Sequence, residues 1–356
     1  MSSTVYLFRH TDWKDLEAAA GGAARLLSET DLLELVEADD LTGVKLTFGE
    51  AGNQTYPPPR LVREIVDLLR QRGARPFLTE TNTLYNGRRK NSVDHLTVAR
   101  EHGFDFDAIG APIILGDGLT GREGFALVRS SGLVPVAHLS PAVRDMHSLV
   151  GIAHLTGHLL TGFGGAIKNL GMGLANRAGK LDMHSAVSPT VDEESCILCL
   201  RCLEACAADA ITEAPQSAVI DAKRCTGCAD CLAVCPTGAI RIDWSRDSLR
   251  VQQKMAEYAD AVREAMGGRA LYLNLLQSVT KHCDCLGEPP ERIAPDVGVA
   301  ASRDPVALDQ ASLDLVREAA GEDVFRRVWP ETDPEAQIRH GEEIGLGKRA
   351  YDLREL

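Results

Sequence analysis

LVREIVDLLRQRGARPFLTET, residues 61–81, carries the choice of fold. Its apolar Leu61, Ile65, Val66, Leu68 and Leu69 fall at helical spacing, Gly73 marks a stop, and a short strand follows. A helix that runs into a strand is half of a βαβ unit. Upstream, GVKLTF (43–48) alternates as a strand, and downstream LVPVAHL (133–139) and LVGIAHL (149–155) are buried-strand candidates. Strands alternating with helices predict an α/β domain with a mostly parallel sheet. The pattern resumes late in the chain. SLRVQQKMAEYADAVREAMGG (248–268) sets Met255, Tyr258, Val262 and Met266 on one helix face, with Gly267 as its end. RALYLNLL (269–276) returns as a strand, and in ASRDPVALDQASLDLV (301–316) Asp304 caps a helix begun by Pro305.

Between those halves lie CILCLRCLEAC (196–206) and CTGCADCLAVCP (225–236). Cys196, Cys199, Cys202 and Cys206 recur 29 residues later as Cys225, Cys228, Cys231 and Cys235, and Ala210-Ile211 recurs as Ala239-Ile240. Three thiolates at such short intervals wrap one corner of a 4Fe-4S cubane, while the fourth, starting a helical turn, points at the other cluster. The competing reading is zinc, which prefers two Cys-x2-Cys knuckles with tetrahedral closure. The run resembles the bacterial two-cluster ferredoxins over about residues 191–243, with Ala207 in place of the usual proline. That resemblance implies one 4Fe-4S cluster on Cys196, Cys199, Cys202 and Cys235, and another on Cys225, Cys228, Cys231 and Cys206. The expected organisation is therefore an α/β host domain in two parts, 1–190 and 244–356, interrupted by a ferredoxin-like (α+β) module at 191–243.

The chain has 356 residues, 44% of them hydrophobic, enough for a full core. Its net charge of −13 repels phosphate backbones and anionic membrane surfaces, so neither nucleic acid nor membrane is expected as a partner. MSSTVYLFRH (1–10) lacks the basic start and apolar run of a secretory signal, and no segment approaches the roughly 20 apolar residues that cross a bilayer. A cytoplasmic protein is expected. In that reducing compartment its ten cysteines favour metal ligation over disulfides.

HLTGHLLTGFGGAIKNLGMGLANRAGKLDMH (154–184) is the second chemical stretch. Gly162, Gly164 and Gly165 let backbone approach a ligand, successive N–H groups there suit an anion, and Lys168 adds positive charge. The order of a Walker loop is absent, and Gly171-x-Gly173 lacks the third glycine of a dinucleotide fingerprint. For His154 the simpler reading is a buried residue satisfied by backbone. The series His158, Thr161-Gly162-Phe163, Gly165, Lys168 and His184 resembles the core of the nickel-pincer lactate racemase family, although Met172 replaces that family's proline. The resemblance implies that Lys168 anchors a nucleotide cofactor, His184 ligates its metal and His158 moves a proton. Over nearly the full length, GFGGAIKNLGMG, the cysteine runs, HCDC and DPVALDQAS resemble a family of uncharacterised iron-sulfur centre proteins, catalogued as a domain of unknown function. That likeness implies fold and clusters but no reaction.

Cys283 and Cys285 in KHCDCLGEPP form a second thiol motif. An extended Cys-x-Cys alternates sides, so both sulfurs converge only if the backbone turns, and a disulfide across so short a loop is strained. With His282 and Asp284 adjacent, the pair offers a third metal site or a reactive dithiol. Capping or solvated faces account for Asp296, Asp304 and Asp309, although Asp309 sits where it could face a cleft.

Three functions fit these residues: a redox enzyme, a ferredoxin-type electron carrier whose host domain only docks partners, and a racemase-like isomerase with a metal or nucleotide cofactor and structural clusters. A carrier needs only a small module, and most of this chain lies outside it. The expected function is an iron-sulfur oxidoreductase in which the two clusters pass electrons to a small molecule at His158, Lys168, His184, Cys283 and Cys285. Gly162, Gly164, Gly165 and Lys168 would bind any further cofactor, and a ferredoxin or reductase would be the redox partner.

Overall fold

The computed structural model describes residues 2–12, 14–85, 87–184, 188–242, 247–287 and 291–356. The helix expected at 61–71 spans Pro59–Gln71, with proline in its first turn, where the missing N–H costs nothing. It buries Leu61, Val62, Ile65, Val66 and Leu69; Leu68 lies at the edge of this face. Gly73 adopts a left-handed φ of 84°, and the strand Arg75–Glu80 follows.

That strand belongs to a nine-stranded sheet among the described residues. Its order is Tyr351–Glu355, Ser3–Arg9, Gly298–Ser302, Ala270–Thr280, Ser148–His158, Leu41–Lys45, Arg75–Glu80 and Ile113–Leu115, with Gly162–Gly164 paired back onto Ser148–His158. Pairings from Ala270–Thr280 through Ile113–Leu115 are all parallel, and so is the outer pair of Ser3–Arg9 with Tyr351–Glu355. Gly298–Ser302 pairs antiparallel on both sides. The fold is a mixed α/β domain around a mostly parallel sheet. Strands of such sheets bury both faces, which explains the unbroken apolar runs. Val44, Leu78, Val150, Ile152, Leu271 and Leu273 pack toward Pro59–Gln71 and Leu16–Ser28. Leu149, Leu155 and Tyr272 face the other way, toward Met255, Tyr258 and Leu308 on the long helices Ser248–Ala265 and Pro305–Ala320.

Asp304 caps Pro305–Ala320 by accepting from the N–H groups of Val306 (2.9 Å) and Ala307 (3.0 Å). One expected strand is corrected. Val136–Leu139 leaves the main sheet and pairs with Phe125–Val128 in a separate hairpin, because Pro135 withholds a ladder donor at its start.

Residues 190–241 form two further hairpin-like pairs, Ile211–Glu213 with Ala218–Ile220 and Ile240–Arg241 with Thr190–Val191. The 29-residue repeat extends to the backbone. Left-handed Leu198, Leu200 and Asp209 are matched by left-handed Gly227, Ala229 and Gly238, and the helix Arg201–Ala205 by Asp230–Val234. This segment sits on the rest of the chain through Ala229, Leu232 and Ile242 packed with Leu84 and Leu181, and through an ion pair from Arg122 to Asp230 at 2.8 Å. The expected boundary between residues 243 and 244 lies outside the described residues. No helix among the described residues is long and apolar enough to cross a membrane.

Candidate functional site

Parallel strands aim their carboxyl ends at one edge of the sheet, and ligands of open α/β sheets bind there, where strand order reverses. Here the reversal lies between Leu41–Lys45 and Ser148–His158: the chain proceeds outward through Arg75–Glu80 and Ile113–Leu115, then returns to the other side. Lys45, Glu80 and His158 are the last residues of their strands, and Cys283 follows Thr280 by three residues. Asn169 bridges the diverging strands, donating to Lys45 O (3.3 Å) and Ile152 O (3.2 Å) while accepting from Lys45 Nζ (2.9 Å).

The expected residues His158, Lys168, His184, Cys283 and Cys285 gather at this edge. Burial acts on the ionisation of all five, yet each keeps part of its surface accessible. Burial opposes the Lys168 charge, but the Cys283 and Cys285 sulfurs and the Asp284 carboxylate outweigh it and hold its pKa above the ordinary lysine value. Burial, then the Lys168 charge, push His158 well below its usual value; the same causes with Lys180 take His184 to about 4. His158 is thus neutral, and its Nδ1 accepts from the N–H groups of Leu160 and Thr161, both at 3.2 Å. The ring proton therefore sits on Nε2. At neutral pH His158 presents a donor at Nε2.

The Cys-x-Cys backbone does turn. Leu286 N–H donates to Cys283 O at 3.1 Å, and each thiol is the first influence on the other's ionisation. The Cys283 thiol, then the Lys168 and Arg89 charges, outweigh burial and lower the Cys285 pKa, while that of Cys283 rises. Asp284 between them accepts from Thr55 Oγ1 (2.8 Å), and its carboxylate lies 3.0 Å from His154 Nδ1. His154 also reaches the carbonyls of Gln277 (3.0 Å) and Ser278 (3.2 Å), so it is the backbone-satisfied residue expected and an ion-pair partner besides.

The glycine loop is tied to the helix Pro305–Ala320. The first N–H groups of the short helix Ala166–Gly171 donate to the Asp309 carboxylate, from Ala166 at 2.7 Å and Ile167 at 2.9 Å, so the anion received there is the chain's own. A Cβ at Gly165 would run into that carboxylate, one at Gly164 would stand 2.8 Å from Lys168 Cδ, and one at Gly162 would stand 2.7 Å from Pro334. These glycines seat Lys168 and its cap.

A buried charge network escaped the sequence reading. Lys45 donates to Glu80 at 3.0 Å; Arg89 donates to Glu80 (3.0 Å), Thr47 Oγ1 (3.0 Å) and Tyr85 Oη (2.7 Å). Opposed by burial, these cations still hold Glu80 at about 2. The available signal was the basic run Gly87-Arg88-Arg89-Lys90 soon after a strand end, but its partners are set by strand order.

Two cavities lie in the cysteine segment. One is lined by Cys196, Cys199, Cys202 and Cys235; the other by Cys206, Cys225, Cys228 and Cys231. Apolar side chains complete each wall, among them Val191 and Ile240 in the first, Ile211 and Ile220 in the second. All eight cysteines, with Cys283 and Cys285, are free thiols. Among the described residues no three His, Cys, Asp or Glu side chains converge on a single-ion site.

A family model described as a domain of unknown function (DUF362) matches residues 42–314. Among solved structures, the lactate racemase apoprotein from Thermoanaerobacterium thermosaccharolyticum aligns at 13% identity and a TM-score of 0.42, covering 89% of this chain and 57% of that one. A protein from Thermotoga maritima aligns at 9% identity and a TM-score of 0.41, covering 92% and 59%. The chain thus spans less than two thirds of either structure. No curated protein matches it.

Proposed function

The chain belongs to the DUF362 family, a domain of unknown function, and from that premise we propose that it is a cytoplasmic iron-sulfur oxidoreductase. It would hold two 4Fe-4S clusters, one in each four-cysteine cavity, and exchange electrons with a small molecule in the recess around Lys168. The observation that carries this reading is the partition of eight cysteines into two cavities, each completed by a distant cysteine from the other run. Such clusters supply one-electron transfer at low potential. The second cavity is the one nearer the host: Ala229 and Cys231 line it, Ala229 packs with Leu84 and Leu181, and the Cys231 sulfur bears on the buried Arg177 guanidinium.

In the recess, Lys168 with Arg89 provides fixed positive charge for an anionic group, His158 presents an Nε2 donor, and Cys285 offers a thiolate. The first cavity exposes Cys199, and Ile197 beside it is 64% exposed, so a ferredoxin or reductase partner would approach there.

Iron and sulfide analysis after anaerobic purification tests the reading. About eight irons per chain, with a reduced-cluster electron paramagnetic resonance signal quenched by a small molecule, is the expected result. A chain that folds without iron, or binds one zinc per site, would overturn it.

A further inference from the structure

We propose that Cys283 and Cys285 are a redox-active pair cycling between dithiol and disulfide, so that two single-electron deliveries end as one two-electron reaction in the recess. This rests on the cluster-bearing reading above and names the group that receives the electrons.

The geometry is built for convergence of the two sulfurs. The Cys283–Leu286 turn undoes the alternation of an extended Cys-x-Cys, and Asp284 is pinned by Thr55 and His154. The turn is held from the other side as well: Glu50 N–H donates to Asp284 O at 2.8 Å, and Gly52 and Gly287 pack so closely that a side chain on either would strike the other strand's backbone. Lys168 and Arg89 both bear on Cys285, which stabilises the anion that a broken disulfide leaves behind. A disulfide across one intervening residue is strained, hence readily reduced, which places it with labile catalytic bridges and apart from structural ones.

The route into the pair is short in chain terms. Leu84 packs against Ala229 of the second cavity, and the next residue, Tyr85, accepts from Arg89, whose charge also bears on Cys285. In the reducing direction the Cys283–Cys285 S–S bond breaks, taking two electrons, one from each cluster, and one proton from water. Cys283 becomes the thiol and Cys285 the thiolate. Two one-electron centres match the two electrons of one disulfide.

The test uses the anaerobic full-length holoprotein. It is incubated with hydroxyethyl disulfide, then acid-unfolded, alkylated and digested. The expected outcome is a peptide spanning 283–285 that is two hydrogens lighter and unalkylated; two equivalents of reduced ferredoxin then restore two alkylated thiols in the wild type and not in Cys231→Ser. Cys285→Ser should retain its iron and never show the lighter peptide. A peptide that stays fully alkylatable at every oxidant concentration, or carries only mixed disulfides, overturns the pair. Restoration as fast in Cys231→Ser as in wild type overturns the electron route. Absence of iron from the starting protein overturns the cluster reading itself, and is read separately from the peptide mass.

Discussion

His154 and Asp284 form a buried ion pair, Nδ1 to Oδ1 at 3.0 Å, that ties the sheet's central strand to the turn carrying both recess cysteines. Both ring nitrogens face acceptors, so the imidazole is protonated; burial opposes the charge, but Asp284 outweighs it and raises the pKa above 6.5.

Removing one partner of such a pair leaves the other buried without compensation. Asp284→Ala should cost about 3 kcal/mol of stability, read from anaerobic urea unfolding near pH 6. A raised histidine pKa contributes stability that is fully present below its unfolded value and lost as pH climbs through the folded one. The gap between wild type and variant should therefore narrow from pH 6 upward; a gap that widens would contradict the ion pair.

Asp309 links the glycine loop to the helix Pro305–Ala320. Burial raises its pKa from 3.8 to about 6, against the pull of the Ile167 N–H, Asn274 and the Ala166 N–H. The folded state thus binds this proton more tightly than the unfolded state, and this group's contribution to stability should fall as pH rises from about 4 to about 6. Asp309→Ala should remove that slope and cost about 1–3 kcal/mol by orphaning two buried N–H groups. Gly165→Ala should mimic it by displacing the carboxylate, and thermal unfolding across pH compares the three proteins.

The seam between the cysteine segment and the host depends on packing more than charge. Leu84→Ala should cost about 2–4 kcal/mol, whereas Arg122→Ala, losing a partly exposed ion pair, should cost under about 1 kcal/mol. Limited proteolysis near residues 188–192 should quicken for Leu84→Ala alone. Equal protection of both variants would mean that Leu84 does not anchor the segment.

Single ligand substitutions separate the cavities. Cys202→Ser and Cys231→Ser should each lose about half of the roughly eight irons, in different cavities. Because the Cys231 sulfur bears on Arg177 of the host, only Cys231→Ser should alter the titration of Cys283 and Cys285 by a maleimide probe. The same thiol reactivity in both variants would remove the proximal assignment.

Much of this architecture is visible in local pattern. Helical periodicity at Leu61–Leu69 and Met255–Met266, caps at Asp304 and Gly267, and apolar runs at 149–155 and 269–276 depend on neighbours within a few residues, so they can be read in order along the chain. The 29-residue cysteine repeat is equally local, and the backbone repeats with it. Val136–Leu139 misled because a short apolar run looks alike in a central sheet and in a surface hairpin.

The amino-acid sequence by itself determined the α/β alternation and the spacing of eight thiols, since each rests on bond geometry and on residues close in the chain. Only the tertiary structure decided that Asp309 fills the glycine loop, that His158 is a donor, and that Lys45, Glu80 and Arg89 share one buried network. Those facts depend on which strands become neighbours and on how much water is excluded between them. Partners such as His154 and Asp284, 130 residues apart, meet through strand order alone.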